Sequence, residues 1–116
     1  MAAVIETCEK GMTEFVTTHY YKTSYEKLKE GYIKALEQLG FTLLSVDDNY
    51  TEIFAEKGRM TVTAKIIEKN PRETAIDFYI DAEYVLFSNK KCVNFLANIY
   101  QLLEQEFELK GLGLHK

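Results

Sequence analysis

The stretch RMTVTAKIIEKNPRETAIDFYIDA, residues 59–82, decides the fold of this chain. Apolar and polar residues alternate on both sides of Asn70-Pro71, which is the pattern of strands that bury one face. The Asn-Pro pair itself is typical of a turn. We therefore predict two antiparallel strands, at residues 59–67 and 74–87. The predicted core face carries Met60, Val62, Ala64, Ile66, Ile76, Phe78, Ile80 and Ala82. The predicted polar face carries Thr61, Thr63, Lys65, Asp77, Tyr79, Asp81 and Glu83.

Three further strands are predicted upstream of this pair. Residues 41–46 and 50–56 are separated by the turn-forming residues 47–49, and such short returns make neighbouring strands antiparallel. Residues 13–22, TEFVTTHYYK, are rich in β-branched and aromatic side chains and predict the first strand. Residues 1–12 form a lead segment that the pattern does not assign.

The first helix is predicted between the first two strands. Thr23, with Glu26 three residues later, indicates a capping box at its start, and Gly40 is expected to end it in the left-handed conformation. Gly31 inside the helix costs roughly 1 kcal/mol against alanine. Either close approach to the sheet compensates this cost, or the position is a tolerant surface site. The apolar stripe of this helix consists of Tyr25, Leu28, Tyr32, Leu36 and Leu39.

The second helix is predicted to begin at Ser88 and to end at Gly111, which leaves residues 111–116 as a mobile tail. Lys90 and Lys91 in its first turn oppose the helix macrodipole, at a cost of roughly a few tenths of a kcal/mol. Its wide apolar stripe consists of Cys92, Phe95, Leu96, Ile99, Leu102, Leu103 and Phe107.

These elements predict a single domain over residues 1–116. It is a two-layer α+β fold with a five-stranded antiparallel sheet and two helices on one face, in the order β-α-β-β-β-β-α. We expect strand 1 beside strand 5, giving the sheet order 1-5-4-3-2. A parallel strand 1 beside strand 2 is the alternative that the handedness rule allows.

This order of elements resembles the helix-grip architecture of the TATA-binding-protein repeat and, in larger form, of Bet v 1-like lipid carriers. The resemblance covers most of the chain and concerns the order of elements, not motif residues. It implies two working surfaces. One is the sheet face that the helices leave open, and the other is a cavity between the sheet and the helices.

Charge and composition limit the function classes. The 116 residues carry a net charge of −4 and two arginines, Arg59 and Arg72, whereas a nucleic-acid binder needs a basic surface. No apolar stretch approaches the ~20 residues of a membrane span, and we expect no signal sequence, because the apolar run at residues 2–5 is too short for one. We expect a cytoplasmic protein with no nucleic-acid partner and no membrane association. Of the two cysteines, Cys8 and Cys92, the second is predicted to be a buried free thiol.

Aromatic residues on the polar sheet face form the first candidate site. Tyr79 lies between two aspartates, Phe54 alternates with two glutamates, and His19 and Tyr21 share one face of strand 1. An exposed aromatic patch indicates a partner or a ligand. Cross-strand aromatic packing that only covers the sheet is the alternative.

His19 is also the basis of an enzymatic interpretation. It would need a carboxylate within hydrogen-bond reach, which Asp77, Asp81 or Glu83 could supply. Asp77 and Asp81 stand roughly 13 Å apart along a strand, too far to share one metal ion. No nucleophile motif, metal-ligand spacing or phosphate loop occurs, so we expect no metal and no cofactor.

We therefore expect a non-enzymatic binding or assembly module that interacts with itself or with another protein, most simply as a homodimer through the open sheet face. The first alternative is a carrier for a small apolar ligand in a cavity between sheet and helices. Large predicted core residues argue against such a cavity. An enzyme that uses His19 with a carboxylate ranks third.

Overall fold

Seven strands and two α-helices form an α+β fold within the residues that the computed structural model describes, 3–82 and 88–115. Two predictions lie outside the described residues. One is the end of strand 5, residues 83–87, which includes Glu83. The other concerns the side chain of Ser88, the predicted start of the second helix. In chain order the elements are β1 (Ala3–Glu6), a 3-10 turn (Glu14–Val16), β2 (His19–Tyr21), α1 (Tyr25–Gln38), β3 (Thr42–Asp47), β4 (Glu52–Lys57), β5 (Met60–Asn70), β6 (Glu73–Ala82), α2 (Ser88–Glu106) and β7 (Leu109–Leu112).

All seven described strands belong to one antiparallel sheet with the order β3-β4-β5-β6-β2-β7. β1 and β2 lie end to end along the same edge of β6, with Ala3 opposite Ala82 and His19 opposite Ile76. The sheet therefore has seven strands where the sequence pattern predicted five. The pairing of β2 with β6 corresponds to the first of the two predicted arrangements, strand 1 beside strand 5.

The predicted first strand, residues 13–22, is much shorter in the structure. After β1 the chain leaves the sheet for twelve residues and returns at His19. The Thr17 hydroxyl donates to the Thr13 carbonyl at 2.7 Å, and the Cys8 amide donates to the Val16 carbonyl at 3.0 Å. Local bonds of this kind compete with a sheet ladder, which explains why β-branched residues here form a folded excursion.

The second helix ends at Glu106, five residues before the predicted stop at Gly111. Residues 109–112, which the sequence pattern divided between helix and tail, form β7 instead. β7 pairs with β2, with Gly111 opposite Tyr20. The Gly113 amide then donates to the Thr18 carbonyl at 2.9 Å. The leucines of this short edge strand are only partly buried, which explains why its sequence carries no clear alternation.

Helix α1 is bounded by the expected kinds of cap, one residue away at its start. Ser24, not Thr23, is the N-cap, and its hydroxyl accepts a bond from the backbone amide of Lys27. Gly40 ends the helix with a φ of +81°, as predicted. The Phe41 amide reaches back to a carbonyl in the last turn at 2.9 Å, which completes a Schellman-type end.

Gly31 is explained by the end of α2, not by the sheet. A Cβ at Gly31 would lie 2.5 Å from the ring of Phe107, which follows α2. The absence of a side chain therefore lets the Phe107 ring approach α1.

Both helices pack on the predicted core face of the sheet. Phe78 lies at the centre of this core, with its ring 5.9 Å from Phe95 and 5.8 Å from Tyr100 in edge contacts and 5.7 Å from Tyr32. The predicted core residues of β5 and β6 are confirmed as buried, apart from Met60, which is partly buried. The fully buried members are Val62, Ala64, Ile66, Ile76, Phe78, Ile80 and Ala82.

We predict that Phe78→Ala lowers the free energy of unfolding by about 3–5 kcal/mol and Ile99→Ala by about 2–5 kcal/mol. Both side chains are at most 1% exposed and belong to one cluster, so truncation leaves a cavity. Denaturant titration measures the loss. Ile67→Ala is the matched control, because Ile67 is 41% exposed and should lose less than about 1 kcal/mol. Equal small losses at all three positions would contradict the face assignment.

We predict that the two free cysteines react with a thiol reagent at very different rates. Cys8 is exposed and Cys92 is buried, and burial raises the pKa of the Cys92 thiol, which lowers its thiolate fraction. In the native protein Cys8 should label rapidly, whereas Cys92 should label only on unfolding. A Cys8→Ser variant isolates the slow site for mass spectrometry. Comparable native rates, or an intact Cys8–Cys92 disulfide, would contradict the packing.

Candidate functional site

The four residues predicted for the site lie on two different faces of the sheet. Tyr79 and Phe54 lie on the face that the helices leave uncovered. His19 and Tyr21 lie on the helix side, because His19 is opposite the core residue Ile76 and residues opposite each other project to the same side. The predicted patch is therefore two separate sites.

We define the open face as the uncovered side of β1, β4, β5 and β6. One row crosses it, in which Phe54 lies opposite Thr63, Thr63 opposite Tyr79, and Tyr79 opposite Glu6. Tyr79 is 45% exposed and Phe54 is partly buried. Besides Tyr79, the open face has an exposed apolar side chain on β1, that of Val4. The open face thus presents an aromatic row at mid-sheet with no described helix packed over it.

The open face is acidic. Lys65 lies between Glu52 and Asp77 in register, but its amine donates to the backbone carbonyl of Tyr50. Around the aromatic row, the carboxylates of this face are Glu6, Glu52, Glu56, Asp77 and Asp81. A partner that covered this face would have to accommodate a strong excess of negative charge.

Asp77 is the most enclosed of these carboxylates. It accepts hydrogen bonds from the hydroxyls of Thr7 at 2.6 Å and Thr18 at 2.7 Å, both in the excursion between β1 and β2. Burial raises the pKa of Asp77, although the two hydroxyl bonds oppose that effect. Asp77 therefore fastens the excursion to the sheet and is not available to a histidine on the other face.

The end of the open face beside β7 is closed by the C-terminal residues. Tyr20 is fully buried there, and its hydroxyl donates to the Glu9 carboxylate. Glu73 pairs with Lys110 and, at 2.9 Å, with His115. Hydrogen bonds from these two residues lower the pKa of Glu73. Sequence reasoning missed this cluster, because Lys110 and His115 lie 37 and 42 residues after Glu73 and no motif spacing marks them.

His19 is enclosed between β2 and α2. It is 4% exposed, and its ring stacks on Tyr100 with centroids 3.5 Å apart and planes 7° apart. Its Nδ1 is 2.8 Å from the Thr17 carbonyl, and a carbonyl can only accept, so Nδ1 carries the proton. Burial lowers the pKa of His19 to about 4, although the Thr17 bond raises it. At neutral pH the imidazole is therefore uncharged, with Nε2 as an acceptor.

A cleft of about 490 Å³ adjoins His19 between the 3-10 turn, α2 and β7. Glu104 lines it, and the Tyr21 hydroxyl donates to the Glu104 carboxylate at 2.9 Å. The expected partners of His19 are corrected here, since Asp77 and Asp81 lie on the opposite face and Glu83 lies outside the described residues. His19 and Glu104 share a cleft, but the bond to Glu104 comes from Tyr21.

Neither a search for metal-binding clusters nor comparison with known proteins narrows the range of possible functions further. Among residues 3–82 and 88–115, no three His, Cys, Asp or Glu side chains are placed to hold a metal ion. Neither helix of the described chain has the length and apolarity needed to cross a bilayer. No protein-family model, no curated protein and no solved structure matches the sequence.

We predict that His19 makes stability pH-dependent between about pH 6.5 and about pH 4. The unfolded state binds a proton near pH 6.5, whereas folded His19 binds one only near pH 4, so acidification through this window favours unfolding. The loss should approach about 3 kcal/mol at the lower limit.

Denaturant titrations at a series of pH values measure this loss, with His19→Phe as the control. Phenylalanine retains a ring against Tyr100 but cannot titrate, so the variant should lose less stability than the parent across the same window. Parallel pH profiles for parent and variant would show that His19 is not held neutral.

Proposed function

We propose that this protein is a non-enzymatic binding module that presents its open face to a protein partner. The observation that carries the proposal is Tyr79, an aromatic side chain 45% exposed at the middle of the sheet, in one row with Phe54 and Thr63. An aromatic group in such a position loses water contact when a partner covers it, and aromatic residues dominate the energetics of protein interfaces.

The simplest partner is a second copy of the chain. In a two-fold interface the same patch serves both subunits, so Tyr79 of one copy would pack on Phe54 of the other, and the reverse. The carboxylates around the row would then lie at the rim of the interface. Because like charges repel across a rim, such a dimer should be stabilised by added salt.

A different protein with a basic surface is the second candidate partner. The observation that favours it is the excess of carboxylates over Lys65 on the open face. Opposite charges attract across such an interface and steer association, so added salt should weaken this complex. The direction of the salt effect therefore distinguishes the two partners.

The other expectations rank below this proposal. A carrier with an enclosed cavity around Leu28, Leu36 and Phe78 is disfavoured, because these core side chains are packed at no more than 1% exposure. An enzyme that uses His19 would have to recruit Glu104 from the same cleft. Three expectations from the sequence remain predictions. They are the resemblance to the helix-grip architecture, a cytoplasmic location and the absence of a nucleic-acid partner.

We predict that the protein is dimeric at tens of micromolar and that Tyr79→Glu makes it monomeric. The substitution places one more carboxylate in an already acidic interface. Light scattering with size-exclusion chromatography measures the mass. The parent dimer should become tighter between about 0.05 M and about 0.5 M salt, the direction expected when repulsion is screened.

Tyr50→Glu is the matched control, because Tyr50 is 67% exposed in the turn between β3 and β4, away from the aromatic row. It should remain dimeric. A monomeric parent at every salt concentration would exclude self-association and leave the basic partner, whose complex Tyr79→Glu should also weaken. Dissociation by both variants alike would contradict an interface centred on Tyr79.

A further inference from the structure

We infer that a second cleft, on the opposite side of the sheet from the aromatic row, binds a small anionic amphiphile, meaning an apolar chain with one carboxylate. This inference goes beyond the proposed function and does not depend on it. The cleft measures about 420 Å³ and lies between the end of α1, the β4–β5 hairpin and the first half of α2. That volume is within the range of ordinary ligand pockets.

The floor of the cleft is apolar. Phe41 and Phe95 form it with ring centroids 5.0 Å apart, together with Leu39 and Met60. Phe95 is buried, whereas Phe41, Leu39 and Met60 are only partly buried. A flexible thioether and two angled rings can adapt to an alkyl chain, which would remove the remaining exposed surface of these residues from water.

The rim of the cleft is cationic. Lys57, Arg59 and Lys91 line it, and none of its described lining residues is acidic. Lys57 is held in place, since its amine donates to the Leu39 carbonyl at 2.7 Å and lies 5.9 Å from the centre of the Phe41 ring. Asn94 and Asn98 add amide donors from α2. This combination of cations and amides above an apolar floor matches a carboxylate head on an apolar body.

The cleft also accounts for an oddity of the sequence. Lysines in the first turn of a helix are unfavourable, because the helix dipole already makes that end positive. Lys91 occupies such a position in α2 and lines the cleft. An anion bound beside Lys91 would offset this unfavourable interaction with the helix dipole.

Two other regions of the surface disfavour this ligand. The open face is acidic, and the cleft beside His19 is lined by Glu14 and Glu104, so both would repel a carboxylate. Of these three regions, the cationic cleft is therefore the one that fits an anionic amphiphile. This contrast makes the chemical class of the ligand testable with a matched pair of probes.

The experiment compares decanoate with decanol, which share an alkyl chain and differ in charge, by calorimetric titration of the full chain. The parent should bind decanoate more tightly than decanol. Replacing Arg59 and Lys91 together with Gln should weaken decanoate by about tenfold and leave decanol unchanged. Lys69→Gln, at the far end of β5 from the hairpin, is the control and should change neither. Asn94→Trp should fill the cleft and weaken both probes.

Several results would overturn the inference. They are equal affinity for the two probes, no response to the double Gln variant, or no binding of either probe. Vesicles that contain an anionic phospholipid distinguish the source, because binding to vesicles without binding to decanoate would overturn the small-ligand inference and point to a membrane surface instead. Tyr79→Glu should bind decanoate as the parent does, so failure of the open-face proposal and failure of this one are separable. Asn94 is exposed, and circular dichroism of its variant checks that the fold is retained.

Discussion

The pairing of β6 on both of its edges is the constraint on which the rest of the structure depends. β5 occupies one edge along the full strand, and β1 and β2 share the other. With its backbone bonded on both sides, β6 has a fixed register, and a shift by one residue would exchange its faces. Phe78 then has to lie in the core and Tyr79 has to lie on the open face. The core and the proposed interface are two consequences of one alternation.

The same alternation explains which parts of the fold were predictable. β5 and β6 alternate over long stretches, so their faces could be assigned from sequence, and the positive φ of Gly40 followed from the end of an apolar stripe. The break between β1 and β2 was not predictable. Thr7, Thr17 and Thr18 are β-branched and favour strands, but their hydroxyls bond to Asp77 and to a local carbonyl. Tertiary bonds of that kind override local propensity.

The candidate sites were predictable to a similar, limited extent. Tyr79 and Phe54 follow from alternation, so their common face could be found in the sequence, whereas the strand register that places them in one row could not. The face of His19 could not, because the predicted strand 1 carries large residues on both sides, and it is the pairing with β6 that places His19 opposite the core residue Ile76. The cationic cleft was also hidden, since Lys57 and Lys91 come from distant segments. Only the misplaced lysines of α2 gave a signal, and it suggested an electrostatic conflict without a location.

The distribution of charge over the surface joins these observations. A net charge of −4 would be unremarkable if it were evenly spread, but carboxylates concentrate around the aromatic row and cations around the 420 Å³ cleft. The two regions lie on opposite faces of the sheet, although Glu56 of the first and Lys57 of the second are consecutive residues. Each region then selects against ligands of its own sign. One chain can therefore present an apolar patch to a protein and an apolar floor to an anion, with charge deciding which of them goes to which site.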